Sequence, residues 1–252
     1  IDNTLSEEDA KDSDDYDGYS NKSNSFNVKF AKKADKKKLV TVTQDKYSLS
    51  WGYNAKDSKN KSVKSKLKEK IKLESDSPYE ELVEKTGSDR VVYENVDKNI
   101  SLEYSLIGNS LKENIIVNEK ADEYSFSFTI KTKNVYLEMN EESGITVFAE
   151  DTKEEVFSIP APFMYDAEEN YSNAVEYSLE QSGNKEYTFT VTADAEWINN
   201  EETVLPVTID PYITTTQSPE SITSTFIVSD EDYTNTNFSG DGSISVGTES
   251  GY

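Results

Sequence analysis

The sequence predicts an all-β protein: an antiparallel β-sandwich of about a dozen short strands with at most one short helix, followed by the first strands of a jelly-roll module. Three observations predict it. Large apolar residues recur at every second position in segment after segment, the period of a strand with one buried and one wet face. Gly, Asn, Pro and acidic clusters cut these segments at the short intervals of a sandwich. The composition, with 16 Tyr, 2 Met and abundant Ser and Thr, favours strands and polar turns over helices.

In chain order, Ile1 to Ser25 is acidic and poor in apolar residues. It is expected to be a disordered leader, because Leu5, Tyr16 and Tyr19 bury too little to offset the roughly 1 to 2 kcal/mol per residue of backbone ordering. The sandwich is expected over residues 26–212. Phe26, Val28 and Phe30 alternate with Asn27 and Lys29, Leu39 to Thr43 follows, and Tyr47, Leu49, Trp51 and Tyr53 form another alternating strand. The lysines between Asn54 and Lys72 read as a solvated loop and edge strand that discourages edge pairing. Ser77 to Gly87 is the helix candidate, with Pro78 inside its start, Glu80 and Glu81 in the first turn and Gly87 past its end.

The stretch Val91 to Ile130 has the cleanest period of two. Ile100, Leu102, Tyr104 and Leu106 form one strand, Gly108-Asn109-Ser110 turns, and Leu111 to Val117 returns. After the charged break Asn118 to Glu123 comes Tyr124, Phe126, Phe128 and Ile130, read as the third strand of one meander. Val135 to Met139, Thr146 to Phe148 and Val156 to Ile159 are short strands. Pro160 and Pro162 then give a rigid extended connection, expected to cross between sheets. Val175 to Leu179 and Tyr187 to Ala193 form a hairpin through Ser182-Gly183-Asn184, Trp197 lies in a turn, and Val204 to Ile209 is the closing strand, ended by Asp210-Pro211. Residues 213–223 read as a linker, and 224–252 as the incomplete start of a jelly roll.

The 252 residues suffice to bury a core without staples. There is no Cys and no His, which removes thiolate chemistry, disulfides, the usual general base and the commonest metal ligand. The 49 acidic against 26 basic residues leave a net charge of −23, a field that repels nucleic-acid phosphates, so no nucleic-acid partner is expected. No apolar run approaches the roughly 20 residues of a membrane span. The chain opens without an initiating Met, which reads as the interior of a longer gene product.

Several segments in order carry a resemblance. They are Val92-Tyr93-Glu94-Asn95-Val96 leading to Leu102-Glu103-Tyr104, then Gly108 with Leu111-Lys112-Glu113-Asn114-Ile115-Ile116, then Ile159 to Ala167, then Trp197, then Pro206-Val207-Thr208-Ile209-Asp210-Pro211. Together they resemble the amino-terminal surface region of RHS/YD-repeat and wall-associated-protein-A-like proteins of Gram-positive bacteria, and of their relatives with a DNRLRE domain. The tail Thr225 to Gly247 is similar to the opening of the DNRLRE module, a jelly roll of carbohydrate-binding type. The resemblance implies a secreted or cell-wall-associated location and a non-catalytic scaffold or interaction role, with the downstream modules of the same polypeptide as partners. It hands over no catalytic residue and no cofactor.

Two further readings compete with the scaffold. Trp51, Tyr53, Tyr233 and Phe238 are the candidates for glycan contact, since aromatic faces stack on sugars; cell-wall or other glycans are then the ligand. A glycoside hydrolase would need a positioned pair of carboxylates, and no nucleophile, phosphate-loop or zinc motif accompanies the many acids, so no enzyme is expected. Asp230, Glu231, Asp232, Asn235, Asn237 and Asp241 offer oxygens to a hard cation without the spacing of a known loop, and no metal is assigned.

Overall fold

The structure is a computed structural model that describes residues 2–8, 18–34, 38–56, 63–67 and 89–215. They lie in one compact unit that runs to Thr215. The expected helix at Ser77 to Gly87 and the jelly-roll start at 224–252 fall outside them.

The described strands are β1 (Asp2–Glu8), β2 (Gly18–Ser23), β3 (Asn27–Ala31), β4 (Val40–Gln44), β5 (Tyr47–Tyr53), β6 (Ser65–Leu67), β7 (Arg90–Asp97), β8 (Ile100–Ile107) and β9 (Ser110–Val117). They continue with β10 (Tyr124–Lys133), β11 (Val135–Met139), β12 (Ile145–Ala149), β13 (Glu155–Ile159), β14 (Met164–Tyr165), β15 (Tyr171–Ser172), β16 (Val175–Gly183) and β17 (Glu186–Ala193). The short helix α1 (Ala195–Asn199), β18 (Val207–Ile209) and β19 (Tyr212–Thr215) complete the set. Two antiparallel sheets result. One runs β1-β2-β3-β4-β5-β10-β17-β16; the other runs β11-β12-β13-β19-β9-β18-β14-β15, with β8, β7 and β6 added in turn beside β9.

Alternation sets the core. Phe126, Phe128 and Ile130 of β10 are buried at 1 to 4% exposure while Ser125, Ser127 and Thr129 between them are half-exposed. Aromatic rings bridge the layers: Tyr104 of β8 meets Phe30 of β3 at 5.7 Å and Trp51 of β5 at 6.5 Å. Tyr93 of β7 donates its hydroxyl to the Ala31 carbonyl at 2.5 Å. The β8–β9 turn is closed by Gly108 and Asn109 between the paired Ile107 and Ser110; Gly108 takes φ +59°, a conformation open to a residue without Cβ.

Five expectations are corrected. The leader is not disordered throughout, since Asp2–Glu8 and Gly18–Ser23 are strands that extend the first sheet past β3. Composition undervalues what a ready sheet edge supplies. Asn21 donates its amide to the Phe26 carbonyl and accepts from the Val28 N–H, and Leu5 is 5% exposed, so backbone pairing and a few buried groups replace a large apolar face.

The meander also divides. β8 and β9 pair along eight residues, but β10 crosses to the other sheet, between β5 and β17. The polar break 118–123 leaves room for that crossing, and local periodicity cannot tell a hairpin from a crossover. Next, Asp210-Pro211 ends β18 as expected but does not terminate the domain. Val207 and Ile209 pair with Val117 and Ile115, and Tyr212 pairs with Lys112 in the same register. Proline has no N–H to give, yet the Glu113 N–H still reaches the Pro211 carbonyl at 3.0 Å. The expected linker accordingly begins as strand, with Tyr212–Thr215 paired to β9 and β13.

Finally, Pro160 and Pro162 do not carry the chain between sheets. β13 pairs with β19 and β14 with β18, so the proline link bridges two strands along one line, with the Phe163 carbonyl accepting from the Asp210 N–H at 2.9 Å.

Truncating the inward face should cost far more than truncating the outer one. Phe128→Ala is expected to destabilise by about 3 to 5 kcal/mol and Ser125→Ala by under about 1 kcal/mol, read as shifts of the urea midpoint; similar shifts would place β10 in the wrong register.

Candidate functional site

The segments that carried the resemblance sit side by side. Val92–Val96 lies in β7, Leu102–Tyr104 in β8, Leu111–Ile116 in β9, Val207–Ile209 in β18, and Met164–Tyr165 in β14, consecutive neighbours across one sheet. Trp197 lies apart in α1, whose start is capped by the Asp194 carboxylate accepting from the Glu196 N–H.

At the centre of these strands, β9 faces Asp210 and Pro211 through Lys112, Glu113 and Asn114. Glu113 points inward with Leu111, Ile115 and Val117. It is 6% exposed and accepts the Tyr104 hydroxyl at 2.5 Å. Burial pushes its carboxyl up to about 8, with the Tyr104 bond working the other way; Tyr104 itself is pushed up by burial and then by Glu113. Near neutral pH this acid is therefore mostly neutral. A small cavity of about 20 Å³ adjoins it, lined also by Trp51, Pro211 and Ile213.

On the opposite face an acid and a base meet. Lys112 meets the Asp210 carboxylate at 2.7 Å and lies 5.9 Å from the Tyr165 ring centroid. Burial raises the Asp210 carboxyl and Lys112 only partly offsets it. Beside this pair, Glu103 is 6% exposed on the outer side of β8, with the Arg90 guanidinium at 3.7 Å.

Asp166, in the loop after β14, is a different kind of acid. Only 2% exposed, it accepts the N–H groups of Glu168 and Asn170 at 2.9 Å and of Val204 at 3.1 Å, together with the Asn170 side-chain amide. Burial opposes its charge, and these donors more than offset burial, so its carboxyl is held below the ordinary range. It ties the loop after β14 to the residues leading into β18.

Two of the clefts among the described residues lie on the surface. One of about 210 Å³ is lined by Tyr53, Lys56, Asp97, Lys98, Glu119 and Tyr124. Asp97, 7% exposed, accepts the backbone N–H groups of Lys56 and Lys98 there. The other, wide and of about 610 Å³, lies among Met139, Glu142, Pro162, Phe163, Glu176 and Tyr177.

Of the glycan candidates, Trp51 is 4% and Tyr53 7% exposed. Trp51 packs on Tyr104, and Tyr53 sets its ring edge on Phe128 at 5.3 Å while lining the smaller cleft. Neither ring presents a free face. Tyr233 and Phe238, like the oxygen-rich loop Asp230 to Asp241, lie outside the described residues. The sequence reading missed Glu113 as a core group, although an acid at an inward position between Leu111 and Ile115 was the available signal. Asp166 falls within the resemblance segment Ile159 to Ala167 but received no role of its own, because a loop acid shows nothing of the donors that converge on it.

No protein-family model matches the chain. Curated relatives do: it is 33% identical over 162 residues to the tRNA3(Ser)-specific nuclease WapA of Bacillus spizizenii and to the tRNA nuclease WapA of Bacillus subtilis strain 168, over 62% of this chain and 7% of each relative. The tRNA(Glu)-specific nuclease WapA of Bacillus subtilis subsp. natto matches equally over 6% of its length. The similarity is thus to wall-associated proteins, and this chain spans a small fraction of their length. Their names overturn two expectations, that no enzyme and that no nucleic-acid partner is involved. Both had rested on the motifs and mean charge of these 252 residues, which carry no information about the much longer remainder of such a protein.

Two of the buried acids, Glu113 and Asp166, give stability opposite pH slopes. Glu113 holds a proton when folded that the unfolded chain releases above its ordinary 4.5. Its contribution is full below that value and is lost as pH rises through about 8, on the order of a few kcal/mol. Asp166 contributes above the ordinary carboxylate range and loses its contribution in acid. Urea titrations from pH 5 to 9 should show stability falling with pH, and Glu113→Gln should flatten that fall; an unchanged slope in the variant would assign it elsewhere.

Proposed function

We propose that this chain is a scaffold and interaction module of a secreted or cell-wall-associated bacterial protein of the RHS and DNRLRE type, whose parent polypeptide is a nuclease acting on tRNA. The observation that carries this reading is the 33% identity to wall-associated tRNA nucleases over 62% of the chain. The segments that suggest the likeness, Trp197 apart, fall on neighbouring strands of one sheet, which supports reading them as a structural block. In such a protein the module holds its neighbours at the surface while the parent polypeptide meets its RNA substrate. The wide cleft and the open sheet edges are where neighbouring modules or wall polymers would dock.

The test uses the parent protein with and without residues 2–215. Removing the sandwich should release the protein from the wall fraction, measured by fractionating cells into wall, membrane and medium; unchanged retention overturns the scaffold role. Purified parent protein should cleave tRNA, read on a gel against a total tRNA pool, and inert parent protein would remove the nuclease assignment.

A further inference from the structure

Four features converge on one edge of the first sheet. β16 is its last strand, with β17 on one side and no described strand on the other. At nine residues it is the longest open edge among the described residues. Asp194 donates its N–H to the Ala174 carbonyl, and the register pairs Val175 with Ala193, Glu176 with Thr192 and Leu179 with Phe189. Hydrogen-bonded pairs alternate along an antiparallel ladder. Glu176, Ser178 and Glu180 therefore turn their backbone groups toward β17, while Leu179 and Gln181 turn theirs to the open side.

The wide cleft of about 610 Å³ begins at this edge, where Val175, Glu176 and Tyr177 line it together with Met139, Pro162 and Phe163. Met139 is 42% exposed, so part of this apolar lining is wet. Acid surrounds it: Glu142 lines the cleft, and Glu176 and Glu180 are exposed on the strand. Proteins commonly guard such edges with Lys, Pro or a short strand. β16 has neither Lys nor Pro, and its bulge is confined to the far end, between Gln181 and Gly183.

We propose that β16 and its adjoining cleft bind an extended, basic polypeptide segment by strand addition, its backbone pairing with Leu179 and Gln181 and its apolar side chains entering between Met139, Phe163 and Val175. Extended segments dock on sheet edges in this way, main-chain bonds supplying affinity and side-chain pockets specificity. The acids select the occupant. A second copy would bring Glu176 and Glu180 against their own equivalents on a chain of net charge −23, which opposes self-pairing, whereas a segment with Lys or Arg at alternate positions is drawn in.

The probe is a blocked peptide of alternating lysine and valine, added to the whole chain and followed by fluorescence anisotropy and amide hydrogen exchange. Binding should slow exchange at the Leu179 and Gln181 amides. The same peptide methylated on alternate backbone nitrogens should bind at least about tenfold more weakly, because it cannot complete the ladder. Leu179→Pro removes an outward donor at a position where an edge strand tolerates proline, and it should weaken binding similarly. Glu176→Lys with Glu180→Lys tests the charge without touching the backbone, against Glu201→Lys with Glu202→Lys as a remote reversal of equal size. Strand addition is overturned if the methylated peptide binds equally well, if the remote reversal costs as much as the local one, or if the protected amides lie elsewhere.

Discussion

The structure depends on the register between β9 and the chain from Val207 to Thr215. That single line closes the second sheet, because β8 pairs on one side of β9 while β18 and β19 share the other, and β13 and β14 in turn pair with them. About 95 residues separate the partners, so little local structure prepares the contact, and topologies built from such pairings fold slowly. What selects the register is the alternation itself. A slip of one residue would turn Glu113 to solvent and drive Lys112, with Leu111, Ile115 and Val117 reversed, toward the wrong face.

Glu113 and Lys112 make that choice sharp through unequal costs of burial. A carboxyl can enter a core by keeping its proton, and the Tyr104 hydroxyl satisfies one of its oxygens. An ammonium retained as a cation cannot do so cheaply, and Lys112 stays on the far face with Asp210 as its partner. Asp210 occupies the position before the proline that interrupts the ladder, so the ion pair stands beside the weakest point of the pairing. Pro211 leaves a donor missing there, and side-chain contacts on both faces of the sheet support the join.

Much of this fold was legible. Inward faces were readable wherever large residues alternate, as at Phe26 to Phe30, Leu49 to Tyr53 and Tyr124 to Ile130, because a strand records burial at every second position. Partner choice was not legible in the same places. Nothing local to Tyr124–Lys133 says that it lies between β5 and β17, since that depends on where the intervening loop can deliver it. Asp2–Glu8 was hidden for a related reason: its stability comes from an edge provided by other residues. The site was harder still. Glu113 broke an apolar pattern and so left a trace, whereas Asp166 acquires its meaning only from the backbone donors of Glu168, Asn170 and Val204.

The charge of −23 describes the chain poorly as an average, because its edges are charged oppositely. At β6, Lys66 is exposed and meets Glu94 of the neighbouring strand at 2.6 Å. At β16 the exposed charged side chains are Glu176 and Glu180. Lysine at an edge deters any approaching strand by its bulk and hydration as well as its charge, while glutamate on the longer edge repels acidic strands and leaves basic ones free to come. A net acidic surface therefore protects β16 from the commonest neighbour, another copy of the same chain. For this reason the edge can remain long and unblocked without the aggregation that an uncharged strand of the same length would invite.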